Sequence, residues 1–272
     1  MSNPLALLGR FATYLALSIA AFISVFPFVW MAIAATNTSP DIIKGKATPG
    51  TALFDNIGTF LTSVDLPRVL FNSFFIAGVG TALTLLVSSL AGYGFEMFRS
   101  RFREKLFGGL LLMLSIPFAA LMIPLFVMMA NLKFINTYQA IILPTVAWVF
   151  IIFYFRQATK AFPHELRDAA RIDGLKEWQI FLFVYMPVMR STYAAATIIV
   201  FMMHWNNYLW PLIVLQTNDM FTLTLAVAAL SAGYTPDFGL VMVGAIVATL
   251  PTLVIFFLLQ RRFVEGMLGA VK

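Results

Sequence analysis

Apolar residues along the chain fall into six long runs that are separated by shorter polar stretches. A helix that crosses a membrane needs about 20 consecutive, mostly apolar residues, and each run is long enough. The pattern therefore predicts an all-α integral membrane protein with six membrane-spanning helices in a single domain. The predicted spans cover residues 11–35, 69–93, 106–130, 134–155, 188–210 and 238–260.

Composition supports this class, because 61% of the residues are hydrophobic and only 11% are charged. A soluble domain carries about 25% charged residues, and its surface cannot be built without them. The first run is too long for a signal peptide and has no small-residue cleavage site, so we expect a permanent span. The chain has no cysteine, which excludes disulfides, thiolate catalysis and thiolate metal sites.

The basic residues predict the orientation of the spans. Cytoplasmic loops collect Lys and Arg, and an inside N-terminus puts fourteen of the eighteen basic residues on the cytoplasmic side. We therefore expect both termini in the cytoplasm. The same membrane-flanking distribution explains the net charge of +6 without a nucleic-acid partner.

Catalytic and metal chemistry find no support in the sequence. The two histidines, His164 and His204, lie at opposite ends of the membrane in this topology, and no His, Asp and Glu residues have metal-ligand spacing. No acidic or basic residue is expected deep inside a span, where proton- or ion-coupled carriers usually place one. We predict neither a catalytic residue nor a metal site, and a secondary carrier is disfavoured.

The most informative segment lies between the fourth and fifth predicted spans, at residues 161–187. Pro163 suits the first turn of a helix, and Gly174 suits the left-handed residue just past a helix end. A short helix is therefore expected from Pro163 to Asp173. Its spacing places Leu166, Ala169, Ala170 and Asp173 on one side and His164, Arg167, Asp168 and Arg171 on the other. A helix lying on the membrane surface is the alternative interpretation.

Within this segment, Asp168–Ala169–Ala170 is followed at the fourth position by Gly174 and later by Pro187. The arrangement resembles the coupling motif of ABC importer permeases, E-A-A, three residues, G, nine residues, I, one residue, then an apolar residue and P. This sequence departs from the motif because Asp168 replaces Glu and Val184 stands in the Ile position.

Other strings extend the resemblance over nearly the whole chain. They are Asn72–Ser73 at the second span, Asn136–Thr137–Tyr138, Leu143–Pro144, and Trp205–Asn206–Asn207–Tyr208–Leu209–Trp210–Pro211–Leu212. Together they resemble the smaller, six-span permease subunit of maltose-type sugar importers. The resemblance implies the ABC importer type I permease fold, with a cytoplasmic coupling helix.

The resemblance also implies a function, which is import of an oligosaccharide or glycoside driven by ATP hydrolysis on a separate subunit. The chain has no G-x-x-x-x-G-K-[S/T] phosphate loop, so we expect ATP and Mg on a partner and no cofactor on this chain. Implied partners are a second permease in a heterodimer, two ATPase subunits, an extracytoplasmic solute-binding protein and the lipid of a bacterial inner membrane. A passive channel, a secondary carrier and a non-transporting scaffold are the alternatives.

Three groups of site residues follow from this interpretation. The residues implied to couple to the ATPase are Glu165, Asp168, Ala169, Ala170, Asp173 and Gly174. Gly266 and Gly269 belong to a C-terminal tail that is implied to contact the ATPase pair, although a frayed terminus is the alternative. Trp205, Asn206 and Asn207 are candidates for the solute path. The alternative there is that the amides bond to neighbouring helices while the aromatic rings form an interfacial belt.

Overall fold

The computed structural model describes residues 4–233 and 236–269, without the side chains of residues 4–8, 259 and 261–269. Within these ranges the chain forms α-helices and no β-strand, which confirms the predicted all-α class. The helices are α1 Pro4–Ala34, α2 Ser39–Ile43, α3 Leu53–Ser63, α4 Leu66–Met97, α5 Arg101–Met113, α6 Phe118–Asn131, α7 Tyr138–Ile142, α8 Val149–Thr159, α9 His164–Ile172, α10 Glu177–Ile180, α11 Met186–Val188, α12 Arg190–Trp205, α13 Leu209–Val214, α14 Leu223–Ser231 and α15 Phe238–Gly269.

Six segments of the described chain have the length and composition to cross a membrane, if each bent pair of helices counts as one span. Three are continuous, namely Gly9–Ala34, Leu66–Met97 and Phe238–Leu258. Three are bent pairs, namely Arg101–Met113 with Phe118–Asn131 at 101°, Tyr138–Thr145 with Val149–Thr159 at 43°, and Glu177–Val188 with Arg190–Val214 at 83°. The spans expected at 106–130 and 134–155 are therefore not straight helices, and the bend of the third pair lies at the beginning of the span expected at 188–210.

Prolines account for two of these breaks. The last turn of α5 tightens, since the amide of Ser115 donates to the carbonyl of Leu112 at 3.1 Å. Pro117 then precedes α6 with an extended ψ of 138°, because proline has no N–H to continue a helical ladder. Pro144 lies in a short 3₁₀ turn, Leu143–Thr145, after α7. By contrast, Pro27, Pro124 and Pro251 lie inside continuous helices.

The described chain divides into two compact units, one of residues up to Asp65 with Val227–Leu250 and one of Leu66–Ala226 with residues from Pro251 onward. In the first unit, the Asn56 side chain donates to the carbonyls of Ala35 and Asn37 at 2.8 and 3.0 Å. Ser39 bonds to the carboxylate of Asp237 at 2.7 Å. These bonds order the loop that follows α1.

In the second unit, α4 packs against both α8 and α12. A Cβ on Gly92 would lie 2.7 Å from the Cβ of Phe155 and 2.8 Å from the backbone nitrogen of Arg156, both on α8. A Cβ on Gly80 would lie 2.6 Å from Cε1 of His204 on α12. Real side chains do not approach this closely, so glycine allows α4 to pack tightly on both neighbours.

A buried ion pair joins the ends of α4 and α8. Glu96 and Arg156 are both buried, and Oε2 of the first lies 3.4 Å from Nε of the second. The same guanidinium bonds to Glu104 on α5 at 2.5 Å and lies 4.1 Å from the ring centroid of Phe107. The sequence does not predict this burial, because both charges adjoin polar loops along the chain.

Candidate functional site

The segment expected to couple to a partner contains the short helix α9. It begins at His164 after Pro163, whose ψ of 117° is extended, and it ends at Ile172. Gly174 follows with a φ of +83°, which confirms the predicted left-handed residue past the helix end. A Cβ on Gly174 would have no neighbour within 4 Å. The backbone conformation, and not a lack of space, therefore favours glycine here.

The two faces of α9 differ from the expected ones. Ala170 is buried together with Arg167, at 7% and 8% exposure. The exposed residues are His164, Glu165, Leu166, Asp168, Ala169, Arg171, Ile172 and Asp173. The expectation that Ala169 and Ala170 share one face was wrong, because consecutive helical residues differ by about 100° around the axis. Ala170 packs against its own chain, and Ala169 faces outward.

On its inner side, α9 is held by the carboxylate of Glu177, the first residue of α10. Oε1 of Glu177 accepts from Nε of Arg171 at 2.7 Å and from Nη2 of Arg167 at 3.2 Å. The hydroxyl of Tyr93, on α4, donates to Oε2 at 3.2 Å. The guanidinium of Arg167 also lies 4.7 Å from the ring centroid of Phe98, just beyond α4. One carboxylate thus connects α9, α10 and α4.

Beneath this carboxylate lies a cluster of aromatic and Met side chains. The rings of Tyr93 and Tyr185 lie 4.8 Å apart, and that of Phe162 lies 5.4 Å from Tyr185. The Tyr185 hydroxyl bonds to Thr159 at 2.7 Å. Residues Phe181–Tyr185 form a π-helical turn, an irregularity that is frequent at functional sites. This cluster fixes the coupling segment to α4 and α8 independently of charge.

Sequence reasoning missed Glu177 and the role of Arg167. A partial signal was present, since Arg167 and Arg171 are four residues apart and fall on adjacent helical turns. An acidic residue beyond Gly174 could then have been proposed as their partner. Tyr93 gave no such signal, because it is distant in sequence and lies within an apolar run.

The candidate solute-path residues at 205–207 lie at the end of a helix, and not within one continuous helix as expected. We expected one helix through residues 188–210, but α12 ends at Trp205, and Asn206 is its C-cap. Pro211 explains the break, because its ring would clash with the carbonyl of Asn207 in a continuous helix. The two amides therefore lie in a short connection before α13. Asn206 is exposed and Asn207 is half-buried.

The two tryptophans of this string, Trp205 and Trp210, are both buried. The ring of Trp205 lies 4.9 Å from that of Phe74 and stacks on Phe201, and only 2% of the residue is exposed. Trp210 is fully buried, and its Nε1 donates to the carbonyl of Ala140 at 2.8 Å. Both rings pack inside the second unit, and the assignment of Trp205 to the solute path stays a prediction.

Gly266 and Gly269 lie in the last part of α15, where the structure describes the backbone but no side chains. Residues 270–272 of the predicted tail lie outside the described residues. The tail contact therefore stays a prediction. In the part of the chain that is described, no group of three or more His, Cys, Asp or Glu residues could hold a metal ion.

Comparison with known proteins identifies relatives over nearly the whole chain. Residues 84–269 match the family model of the binding-protein-dependent transport system inner membrane component. The lactose transport system permease protein LacG of Rhizobium radiobacter is 66% identical over 259 residues, which cover 95% of each chain. The arabinooligosaccharides transport system permease protein AraQ of Halalkalibacterium halodurans is 38% identical, covering 93% of this chain and 92% of the relative.

A third relative, the sn-glycerol-3-phosphate transport system permease protein UgpE of Escherichia coli, is 32% identical and covers 96% of this chain and 95% of its own. A chain from the crystal structure of a bacterial ABC transporter involved in the import of the acidic polysaccharide alginate superposes with a TM-score of 0.85. That match covers 97% of this chain and 99% of the other at 18% identity, so it shows the fold. The chain belongs to the family of binding-protein-dependent transport system inner membrane components.

Proposed function

We propose that this chain is the permease subunit of an ATP-binding cassette importer that moves an oligosaccharide or glycoside into the cell. The observation that carries the proposal is the arrangement of α9, whose inner face is bonded to its own chain while its outer face is open. The names of the relatives support the solute class, since one is a lactose permease and one an arabinooligosaccharides permease.

The outer face of α9 has the character of a docking surface for an ATPase subunit. Ile172 is 88% exposed and Leu166 is 41% exposed, although both are apolar. The carboxylates of Glu165, Asp168 and Asp173 are exposed beside them. A partner that fits this surface has an apolar groove with basic groups at its rim, and Ala169 lets the partner approach the helix backbone. We assign that role to the ATPase, with Asp168 paired to one of its basic groups.

ATP hydrolysis belongs to the partner in this proposal, because this chain is a transport permease without a phosphate loop. The assembly consists of this chain, a second permease, two ATPase subunits and an extracytoplasmic solute-binding protein. It lies in the bacterial inner membrane with both termini of this chain in the cytoplasm, as the distribution of Lys and Arg favours. ATPase closure moves α9, and the spans switch between inward-open and outward-open arrangements.

The solute path is assigned to the connection between α12 and α13. Amide groups there can donate to and accept from sugar hydroxyls. Of the two amides, Asn206 is the more exposed, so we assign the contact to it first.

ATP-dependent uptake tests this function directly. The chain is purified with its co-expressed partner subunits, placed in liposomes with the solute-binding protein, and supplied with radiolabelled lactose or an arabino-oligosaccharide. We expect uptake only when ATP is present on the ATPase side. Uptake that proceeds equally without ATP would instead establish a passive channel, and uptake driven by an ion gradient would establish a secondary carrier.

A further inference from the structure

We infer that Tyr93 and Glu177 are positioning residues that fix the coupling helix α9 to α4, so that movement of α9 is passed to the membrane-spanning bundle. The inference deepens the proposed function and rests on it for the meaning of the movement. The four residues that form this connection are Tyr93, Arg167, Arg171 and Glu177, here called the Glu177 joint.

The Glu177 joint brings three separate elements to one carboxylate. Arg167 and Arg171 approach from α9, and Glu177 itself begins α10. Tyr93 supplies the contact to α4, through a single hydroxyl at 3.2 Å from Oε2. Oε1 of Glu177 thus binds only the coupling helix, whereas Oε2 accepts from Arg167 of that helix at 3.4 Å and from Tyr93 of the spanning helix.

A second contact, between Arg167 and Phe98, also connects α9 to the end of α4. The Arg167 guanidinium lies 4.7 Å from the ring centroid of Phe98, which directly follows the last residue of α4. The same arginine therefore touches both the carboxylate of the joint and the end of α4. A displacement of α9 that carries Arg167 with it therefore disturbs the contact with Phe98.

A displacement of α4 would also move α8 and α12, because α4 is packed tightly against both helices. Gly92 brings it against the backbone of α8, and Gly80 brings it against the His204 ring of α12. Close-packed helices transmit strain because side chains have no free volume in which to relax. A shift at Tyr93 is therefore passed to α8 and α12.

Stability alone does not explain the joint. The Glu177 side chain is 36% exposed and that of Arg171 is 46% exposed, and ion pairs this exposed contribute little to folding. The buried aromatic cluster of Phe162, Phe181 and Tyr185 holds the segment in place without it. What the carboxylate adds is a fixed distance and orientation between α9 and α4.

The experiment measures that distance directly. The chain has no cysteine, so spin labels can be attached at His164→Cys on α9 and at Leu90→Cys on α4, both exposed. Pulsed electron resonance gives the distance distribution in the full chain, assembled with its partners in lipid nanodiscs. The test variants are Glu177→Gln, which removes the charge, and Tyr93→Phe, which removes one hydroxyl and keeps the ring in its cluster.

Tyr138→Phe is the matched control. Its hydroxyl donates to Oδ1 of Asn72 on α4 at 2.6 Å, so this variant, like Tyr93→Phe, removes one tyrosine hydrogen bond between α4 and another element. Asn72 lies near the beginning of α4, whereas Tyr93 lies near its end. A general loss of stability would affect the control and the test variants alike.

We expect a broader distance distribution in Glu177→Gln and Tyr93→Phe, and the wild-type distribution in Tyr138→Phe. We also expect sugar uptake per ATP hydrolysed to fall about fivefold in the two test variants, the low end of usual coupling between sites. Distributions as narrow as the wild type in both test variants would overturn the inference. The distance measurement needs no sugar. It therefore tests the Glu177 joint even if ATP-dependent uptake is not observed and the proposed function is wrong.

Discussion

The two faces of α9 show how one short helix serves two purposes. Arg167 and Ala170 face inward, where the first bonds to Glu177 and the second is packed against its own chain. Asp168 and Ala169 face outward and are exposed. The three-residue string that resembles a family motif is therefore divided, with two residues outside and one inside. Equal substitutions on the two faces should have different consequences.

The largest effect is expected from Ala170→Arg on the inner face. The site has no room for an arginine, and overpacking costs about 1–3 kcal/mol before the unpaired charge is counted. We expect less of the variant in the membrane and a lower thermal unfolding temperature for what is inserted. Detergent-solubilised yield and a thermal shift assay measure both, and wild-type values would show that Ala170 is not packed as described.

The same substitution at Ala169 tests the outer face. Ala169→Arg should insert and unfold like the wild type, because the position is exposed. It should lose the ATPase, since a long charged side chain keeps the partner from the helix backbone. The amount of ATPase that co-purifies with a tagged permease measures the loss. An Ala169→Arg variant that retains its ATPase would place the docking surface elsewhere.

A smaller effect is expected from Gly174→Leu. The left-handed conformation costs a residue with a Cβ roughly 1–2 kcal/mol, and no steric clash adds to it. Uptake should fall while the chain still inserts. Gly174→Asn is the matched control, because Asn tolerates this conformation better, and it should recover most of the uptake. Equal loss in the two variants would argue against backbone strain as the cause.

The smallest effect is expected from Asn206→Ala, which lies outside the coupling segment altogether. Loss of one exposed amide should leave assembly and basal ATPase activity unchanged. If Asn206 contacts solute, the ranking of uptake among several sugars changes, with each difference near 1 kcal/mol or below. Unchanged uptake for every sugar would make Asn206 a bystander. Equal loss for every sugar together with lost assembly would instead indicate a structural amide.

Local patterns in the sequence predicted the features that depend on neighbouring residues. The six apolar segments, the short helix after Pro163 and the left-handed Gly174 follow from periodicity and from the conformations of proline and glycine. The inner and outer sides of α9 were also within reach, since helical geometry separates Ala169 from Ala170.

Contacts between distant residues were not predictable in this way. Tyr93 meets Glu177 across 84 positions, and Trp210 donates to Ala140 across 70. The sequence shows which polar groups are present, but it does not show which of them come into contact once the helices pack. The break after Trp205 lies between these cases, because Pro211 is close to it in sequence while the apolar pattern continues through the break.

The central claim is that the outer face of α9 binds the ATPase, and a site-directed cross-link tests it most directly. A thiol-reactive photo-crosslinker is attached at Glu165→Cys, an exposed position of the outer face, in the cysteine-free chain within the assembled importer. The control is Phe54→Cys, a position 82% exposed in α3 and predicted to lie on the opposite side of the membrane. The ATPase is recognised by labelling with an azido-ATP analogue. We predict a labelled permease–ATPase adduct from Glu165→Cys and none from Phe54→Cys, whereas no adduct at Glu165, or equal adducts at both positions, would contradict the account.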